Sequence, residues 1–410
     1  MPVVMDWDPA LLAAGLADGG LALMLLLLEL QLGRAPRLRP RANAATNPVP
    51  GVALLRVLIP AYNEADNIAD CVAAVLASED PGVPWQLLVV NDGSTDATAE
   101  LARQALPLQA GSGPLCRVLE AGPRPSGERW CGKNWPASCG AAEPWPAGDP
   151  SQQWLLLLDA DVRLQPQALR RALEEASAAA SDLLTLAPRL QCSCLAEWLV
   201  QPIVATLLGL GFPLEASNDP NDATAFAAGP FMLFRRSAYE AIGGHRAVAA
   251  EVVEDLALAR RIKAAGLRLR YLLGVDLVDL QMYRSLAALW EGWTKNWFLG
   301  LDRDLFKAAG SAAVVLLLFA GPWLLTLLGA WRWLQQPAAL PWLAAAGLLG
   351  VLLLLALRLW SRWRFGTPLR FWWLSWLGAL LIAAIVPASI WKTSTGRGWT
   401  WRGRSLAAQP

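Results

Sequence analysis

The sequence has little histidine, little excess charge and few cysteines, and each shortage excludes a class of function. His245 is the only histidine among 410 residues, so a centre built on several imidazoles is excluded, and its place after two glycines favours a turn or surface position. The formal net charge is +1, and without a basic excess we predict no nucleic-acid partner. The six cysteines lack CxxC spacing and are expected to be reduced thiols rather than zinc ligands.

Charged residues are also scarce, at 17%, whereas hydrophobic residues make up 55%. This composition is too apolar for an ordinary soluble domain. The apolar excess lies in residues 11–32 and in three later segments, 310–330, 338–357 and 371–391, each about long enough for a bilayer core. Tryptophans near their ends are typical of membrane interfaces. We therefore predict N- and C-terminal transmembrane helices in a bacterial-type cell membrane.

The sequence gives conflicting signals on the membrane orientation of these segments. A signal peptide is the alternative for residues 11–32, but no basic region precedes them, and we favour a retained anchor. Four arginines between 34 and 41 predict a cytoplasmic domain after the anchor. Three full crossings near the C-terminus would put the tail outside, yet its basic residues favour the inside. Gly321-Pro322 makes 310–330 the best candidate for a re-entrant or interfacial segment.

The chain is accordingly predicted to contain five regions. They are an anchor (1–33), a linker (34–52), a catalytic domain (53–300), a membrane region of about three hydrophobic segments (301–392) and a basic tail (393–410). Within the domain, residues 105–149 are rich in glycine and proline and predict a loop-rich stretch over the sheet edge. Residues 195–212 are nearly all apolar and predict an interfacial helix.

Three apolar runs in the domain predict strands that alternate with helices. They are residues 56–60, 85–90 and 155–158, and a strand–helix–strand order indicates a mostly parallel α/β sheet. Polar residues follow each run, at the sheet edge where ligands of such folds bind. Asp159 and Asp161 follow the third run, and two carboxylates there suit Mg²⁺ or Mn²⁺. Turn formation is the alternative for an isolated Asp-x-Asp.

Seven ordered segments between residues 55 and 300 resemble inverting family 2 glycosyltransferases. They are IPAYNEADNI, VVNDGSTDAT, Trp130-Cys131-Gly132-Lys133, LLDADV, AAGPFMLFRRSAYEAIGGH, VVEDLALARRI and QMYRSLAALWEGWTKN. The resemblance implies a GT-A fold, a Rossmann-like domain that binds a nucleotide sugar. The last segments and the membrane region look most like the hopanoid-associated and carotenoid branch, which implies a lipophilic acceptor and contact with membrane lipid.

The resemblance also implies roles for particular residues. Asp161 is expected to bind the metal, and Asp255, near the start of a predicted helix, to act as the base. Carboxylates also suit a helix N-terminus electrostatically, which is the alternative for Asp255. The donor-binding set is expected to be Pro60, Ala61, Asn63, Glu64, Asp92, Lys133, Asp159, Gln281 and Arg284. Capping and turn formation are alternatives for the strand-end residues, and a solvated lysine for Lys133.

The segment Gln281–Arg284 resembles the Gln-x-x-Arg of processive synthases, which normally continues with tryptophan. Ser285 stands there instead, which disfavours polymer synthesis. We therefore expect a glycosyltransferase that moves a single sugar from a nucleotide sugar to a carotenoid or other isoprenoid lipid. The alternatives are a polysaccharide synthase and a catalytically silent membrane scaffold or sugar-lipid carrier.

Overall fold

The computed structural model describes residues 8–42, 47–107, 114–337 and 341–406. These residues form two compact units, which we call the sheet unit (35–191, 212–282 and 400 onward) and the helical unit (up to 34, 192–211 and 283–399). Residues 192–211 and 283–300 belong to the helical unit, and the part of the predicted basic tail (393–410) that follows residue 399 belongs to the sheet unit.

Ten strands build the sheets of the main part of the sheet unit. They are β1 Leu54–Ala61, β2 Trp85–Asn91, β3 Leu115–Glu120, β4 Gln153–Leu158, β5 Val162–Leu164, β6 Leu183–Ala187, β7 Arg189–Leu190, β8 Phe231–Arg235, β9 Leu269–Leu273 and β10 Val278–Leu280. Seven form one sheet in the order β3-β2-β1-β4-β8-β6-β9. Only β8 is antiparallel to its neighbours there, so the predicted mostly parallel sheet is confirmed. The other three form a small sheet in the order β5-β10-β7.

The described helices of both units are numbered in chain order. They are α1 Pro9–Leu32, α2 Ile68–Leu76, α3 Thr98–Ala105, α4 Asn134–Ala142, α5 Ala168–Ala178, α6 Leu195–Gly211, α7 Leu214–Asn218, α8 Arg236–Ala241, α9 Glu254–Ala264, α10 Leu286–Gly300, α11 Leu305–Val315, α12 Gly321–Gln335, α13 Trp342–Phe365 and α14 Ser375–Thr395. A π-helical turn, Leu316–Ala320, joins α11 to α12.

Helices cover both faces of the main sheet. Every residue of β1 and β4 is buried, which is typical of strands in such a layer. Val57 and Ile59 point into one core, which contains α2 and α5 side chains, whereas Leu58 points into the other, with α4 and α9. In α4, a Cβ on Gly140 would lie 2.0 Å from Leu58 Cδ1, so glycine permits this close packing.

Two segments of the sheet unit differ from their predicted character. The stretch 105–149, predicted to be loop-rich, also contains the edge strand β3 and helix α4, and most of its described glycines and prolines lie between these elements. The predicted linker is docked. Leu38 N donates to Leu273 O at 2.9 Å, and Arg37 pairs with Asp276 at 2.6 Å.

Four helical stretches of the helical unit are long and apolar enough to cross a membrane. They are Pro9–Leu32, Leu305–Gln335, Trp342–Phe365 and Trp372–Thr395, in agreement with the predicted N- and C-terminal membrane helices. Glu29, an acid within the first, accepts a 2.6 Å hydrogen bond from Trp360 Nε1 and pairs with Arg364. Partner groups thus compensate a charge that would otherwise disfavour an apolar helix.

Gly321-Pro322 does not break its helix. The helical stretch continues through this point: the π-helical turn directly precedes Gly321, and Pro322 lies in the first turn of α12, a local π adjustment of the kind that accommodates proline within membrane helices. Small residues allow α12 and α13 to approach. A Cβ on Gly347 would lie 2.4 Å from Thr326 N, a backbone contact of the kind found between membrane helices.

Helices α6 and α10 pack inside the helical unit. Glu197 of α6 is buried and accepts from Ser193 N and Tyr283 N, both at 2.7 Å. Leu289 and Phe298 of α10 are buried as well. The helix predicted over residues 195–212 is therefore present as α6, and part of its surface contacts protein.

The chain returns to the sheet unit in a short hairpin of β11 Thr400–Trp401 and β12 Arg404–Ser405. Thr400 pairs with Ser405, and Trp401 pairs with Arg404. Arg402 and Gly403 form the turn with φ angles of 48° and 79°. Positive φ at both positions defines the tight turn that matches strand twist.

Candidate active site

The predicted strand-end residues meet at one edge of the main sheet. β1 pairs in parallel with both β2 and β4, so their carboxyl ends lie side by side. Asn63 and Glu64 follow β1, Asp92 follows β2, and Asp159 and Asp161 follow β4. We call these five residues and their surroundings the carboxylate edge.

Backbone atoms at the end of β1 hold the edge together. The Asp92 amide donates to Ala61 O at 2.9 Å. Pro60 and Ala61 are the last two residues of β1 and form part of the backbone at this edge. Asn63 has a φ of 52°, and its Oδ1 accepts from Thr95 N at 2.9 Å. The Asn63 side chain therefore links two neighbouring turns. This contact fits the alternative of turn formation rather than donor binding.

Glu64 and Asp92 are buried acids with cationic partners. Glu64 Oε2 accepts from Asn67 Nδ2 at 3.0 Å, and burial raises the pKa of Glu64 above its usual value. Asp92 pairs with Arg124 at 2.8 Å. Buried charges of this kind require close partners, and the site supplies them.

Asp161 has an oxygen that the described residues do not satisfy. Its Oδ1 is buried without a hydrogen-bond partner in the described part of the chain. Burial, together with the charges of Asp159 and Glu64, raises the pKa of Asp161 well above its usual range. A divalent cation would remove both penalties, because it supplies positive charge and accepts carboxylate oxygens as ligands.

The donor set at this edge suits a cation that shares its ligands with a substrate. Among the described residues, no group of three or more His, Cys, Asp or Glu side chains could hold a metal by itself. Mg²⁺ commonly uses one or two carboxylates plus substrate phosphates. Asp159 and Asp161 fit that arrangement.

Lys133 joins the carboxylate edge to helix α9. Its Nζ contacts Asp159 and lies 3.1 Å from Glu254 Oε1. Burial lowers the pKa of Lys133, but Asp159 and Glu254 outweigh this and raise it above the ordinary value. The ammonium group therefore remains charged and is placed as a point charge for an anion.

Asp255 is held at the N-terminus of α9 by two backbone amides. Gly229 N donates to Oδ2 at 3.1 Å and Leu256 N to Oδ1 at 2.8 Å. Burial and the neighbouring charge of Glu254 raise the pKa of Asp255 to about 6. A Cβ on residue 229 would lie 2.8 Å from Oδ2, so glycine allows this contact. The carboxyl group is thus fixed and poised for proton transfer near neutral pH.

Gln281 and Arg284, both predicted to bind the donor, lie in different units of the structure. The Gln281 amide donates to Asp161 O at 3.2 Å, which places this residue beside the carboxylate edge. Arg284 is exposed and belongs to the helical unit. Ser285, which replaces the usual tryptophan, caps α10 by accepting from Ala288 N at 3.2 Å.

His245 is buried, so the predicted turn or surface position is wrong as regards exposure. Its Nδ1 lies 2.8 Å from the Tyr239 hydroxyl, and its backbone amide donates to the same oxygen at 3.0 Å. Burial lowers the pKa of His245 to about 4. The imidazole is therefore neutral and occupied in a structural hydrogen bond.

Comparison with known proteins assigns the family. Residues 56–126 match the sequence model of glycosyl transferase family 2, and residues 150–410, more than half of the chain, match that of glycosyl transferase family 21. The chain belongs to glycosyl transferase family 21. The family 2 match agrees with the predicted membership among family 2 glycosyltransferases, and the prediction of a glycosyltransferase enzyme is confirmed.

Two similar proteins extend this assignment. A 4,4'-diaponeurosporenoate glycosyltransferase of Staphylococcus aureus (strain USA300) is 26% identical over 65% of this chain and 66% of its own length. The glycosyltransferase thus spans slightly under two thirds of that relative. The mannosyltransferase PcManGT from Pyrobaculum calidifontis, solved with GDP-Man and Mn²⁺, has a TM-score of 0.50 and 17% identity over 95% of this chain and 99% of its own. Its likeness shows the shared fold.

Several residues that pair with the predicted site residues have no counterpart in the sequence-based prediction. Arg124 pairs with Asp92 from a region predicted to be a loop, and Glu254 pairs with Lys133. Arg402 lies 2.6 Å from Glu64 Oε1, and Arg404 pairs with Asp92. The tail arginines were interpreted as a topology signal. The available clue was Arg402-Gly403, a pair suited to a tight turn between two short polar strands.

Proposed function

We propose that this glycosyltransferase transfers a single sugar from a nucleotide-sugar donor to a lipophilic acceptor of the carotenoid or isoprenoid type, with inversion. The observation that carries the proposal is the unsatisfied, buried Asp161 oxygen in a cluster of acids. Such a cluster is poorly suited to an anionic donor alone and well suited to one that arrives with a divalent cation.

The donor side is supported by the position of the carboxylate edge. Asp92 and Glu64 offer acceptors to a nucleoside, and Lys133 offers a cation to its phosphates. The P. calidifontis neighbour was solved with GDP-Man and Mn²⁺. For this chain, Asp161 and Asp159 would hold Mg²⁺ or Mn²⁺, which would stabilise the charge of the leaving diphosphate.

Asp255 is proposed to take the acceptor proton. Its two amide hydrogen bonds fix the carboxylate, and its raised pKa keeps it a competent base near pH 7. Lys133 contacts both Asp159 and Glu254, and this link positions the base relative to the donor edge. Inversion follows from a single displacement, in which the acceptor attacks opposite the leaving diphosphate.

A lipophilic acceptor is supported by the helical unit and by the S. aureus relative. Four helices are long and apolar enough to cross a membrane, so the enzyme would meet its acceptor at the bilayer. The relative is named for diaponeurosporenoate. Arginines 34, 37, 39 and 41 support a cytoplasmic sheet unit, where nucleotide sugars are available.

The test uses the full-length protein in detergent with UDP- and GDP-sugars, Mn²⁺ and an isoprenoid lipid extract. We expect a glycosylated lipid by mass spectrometry, inverted at the anomeric carbon by NMR, and no product in excess EDTA. Equal turnover with EDTA, or a retained configuration, would contradict the proposal. Homopolymeric products would favour the polysaccharide synthase that Ser285 disfavours, and an absence of any transfer or hydrolysis would favour a silent scaffold or carrier.

A further inference from the structure

The C-terminal hairpin reaches the carboxylate edge from more than 300 residues away in sequence. Its turn presents Arg402, whose Nη2 lies 2.6 Å from Glu64 Oε1 and whose Nη1 donates to Asn63 O at 2.7 Å. Positive φ is uncommon for a non-glycine residue. The tight turn accepts this conformation, and it places the Arg402 side chain against the residues that follow β1.

Contacts on both sides of the turn fix the hairpin in place. Arg404 pairs with the Asp92 carboxylate, and its Nη2 donates to Asp92 O at 2.9 Å. Its guanidinium also lies 3.8 Å from the centre of the Tyr62 ring, which Trp401 contacts at 5.7 Å. Arg129 donates to Leu406 O at 3.0 Å. Aromatic and charged side chains therefore hold the hairpin beside the acids of the carboxylate edge.

The charge balance at the edge gives the arginines a role. Glu64, Asp92, Asp159 and Asp161 form an acidic group, whereas a donor diphosphate is itself anionic. A guanidinium offers paired N–H donors that match phosphate oxygens. Arg402 is about one third exposed at its side chain, whereas its partner Glu64 is almost fully buried, so part of the arginine side chain is accessible from solvent beside the acids.

We propose that the C-terminal hairpin is part of the donor site, in which Arg402 binds the diphosphate of the donor and Arg404 anchors the hairpin on Asp92. This inference rests on the proposed nucleotide-sugar donor. It converts a segment that the sequence presents as a basic tail into a binding element. The hairpin belongs to the same unit as the acids it contacts.

The experiment measures binding of UDP, GDP, uridine and guanosine to the full-length protein with Mn²⁺. For the diphosphate that binds the wild type, Arg402→Gln should weaken affinity by about tenfold or more, since hydrogen bonds between charged groups are lost. Affinity for the matching nucleoside should change less than about twofold. Arg402→Lys, which keeps the charge without the paired donors, should lie between.

The matched control is Arg117→Gln, because Arg117 is half exposed on β3 and has only a 3.5 Å ion pair; it should bind as the wild type does. Thermal unfolding of each variant identifies a general loss of structure, and equal weakening for nucleoside and diphosphate would assign Arg402 a purely structural role and overturn the inference. Unchanged diphosphate binding in Arg402→Gln would also overturn the inference. Tighter diphosphate binding would overturn it as well, and would show that the hairpin blocks the site. If the wild type bound neither UDP nor GDP, the proposed function would fail first.

Discussion

The sheet unit and the helical unit place apolar and charged residues differently. In the sheet unit, the four leucines of β4 are buried, and charged groups collect at strand ends. In the helical unit, large apolar side chains face outward: Leu324 is 67% and Trp363 73% exposed. An apolar run therefore indicates burial in both units, but the burying partner is protein in one and, in our proposal, lipid in the other.

The acids of the two units have different partners. The carboxylate edge leaves Oδ1 of Asp161 without a hydrogen-bond partner among the described residues, whereas both carboxylate oxygens of Glu29 in the helical unit have partners, Trp360 and Arg364. Buried polar atoms without a partner occur in both units, but the Asp161 oxygen lies among other acids, where a cation would satisfy it. Four substitutions test the comparison of the two units.

The largest effect is expected for Asp161→Asn. The neutral amide is a poor metal ligand, so metal-dependent turnover should fall to background in the transfer assay, while the fold should persist because a buried charge is removed. Asp70→Asn is the control, since that side chain is 72% exposed and has a single ion pair; it should retain normal turnover. Mn²⁺-dependent activity of Asp161→Asn near the wild-type level would show that Asp161 is not a metal ligand.

Asp255→Asn should reduce kcat by about 100-fold or more if the acceptor is an alcohol, because base catalysis typically contributes 10²–10⁴-fold. A carboxylic acid acceptor, whose pKa in water is about 4, is already ionised near neutral pH and should suffer far less. Donor affinity should be near normal. Lost donor binding would mean that Asp255 is a donor or structural residue, and Glu251→Gln, an exposed acid just before α9, is the control.

The same residue sets a pH dependence. The base acts when ionised, and its pKa is raised to about 6, so kcat/KM should be level above that value and fall about tenfold per unit below it. Asp255→Asn should lack this limb. Because burial disfavours the charged form, the variant should also unfold at no lower temperature than the wild type near pH 8. A wild-type profile without an acidic limb near pH 6 would contradict the assignment.

A smaller effect is expected for Gly229→Ala. The added methyl would lie 2.8 Å from Asp255 Oδ2, so the carboxylate must shift and lose its 3.1 Å amide contact. Kinetics should show kcat reduced by about tenfold with donor KM little changed, since misplaced groups lose rate rather than binding. A pure increase in KM would point to the donor pocket instead.

The smallest effect on chemistry is expected for Gly347→Val in the helical unit. A Cβ there would lie 2.4 Å from Thr326 N, so α12 and α13 must separate and the melting temperature in detergent should fall. Gly310→Ala, at a position with open space around it, is the control. Nucleotide binding should be nearly unchanged in both variants, and a large loss of binding in Gly347→Val would contradict the proposal that residues of the sheet unit alone bind the nucleotide.

Sequence reasoning found the carboxylate edge because each part of it is local. Leucine-rich strands that stop at Asp159 or Asp92 fix the register, and parallel pairing then brings their ends together. The resemblance implies the role of Asp255, and the place of this residue at a helix start also has a local signature. The environment that raises its pKa was not predictable, since it depends on burial among distant residues.

The features that the sequence did not predict all depend on long-range contacts. His245 follows two glycines, which indicates a surface turn, but Tyr239 and the α9 side of the core bury it. Arg402 and Arg404 lie in a segment without periodicity, and their partners Glu64 and Asp92 are more than 300 residues earlier. The sequence identified the acids of the site far better than it identified the cations that oppose them.

The hairpin also restricts the membrane path that the proposed function implies. The chain leaves the sheet unit at residue 283 and rejoins it at residue 400, so in the proposed membrane-bound enzyme the intervening segment would begin and end on the same side of the bilayer. Such a path would contain an even number of complete crossings, whereas three described helical stretches of this segment are long and apolar enough to cross. We therefore expect one of the three not to cross completely, and reporters fused at residue 41 and after residue 410 should report the same compartment.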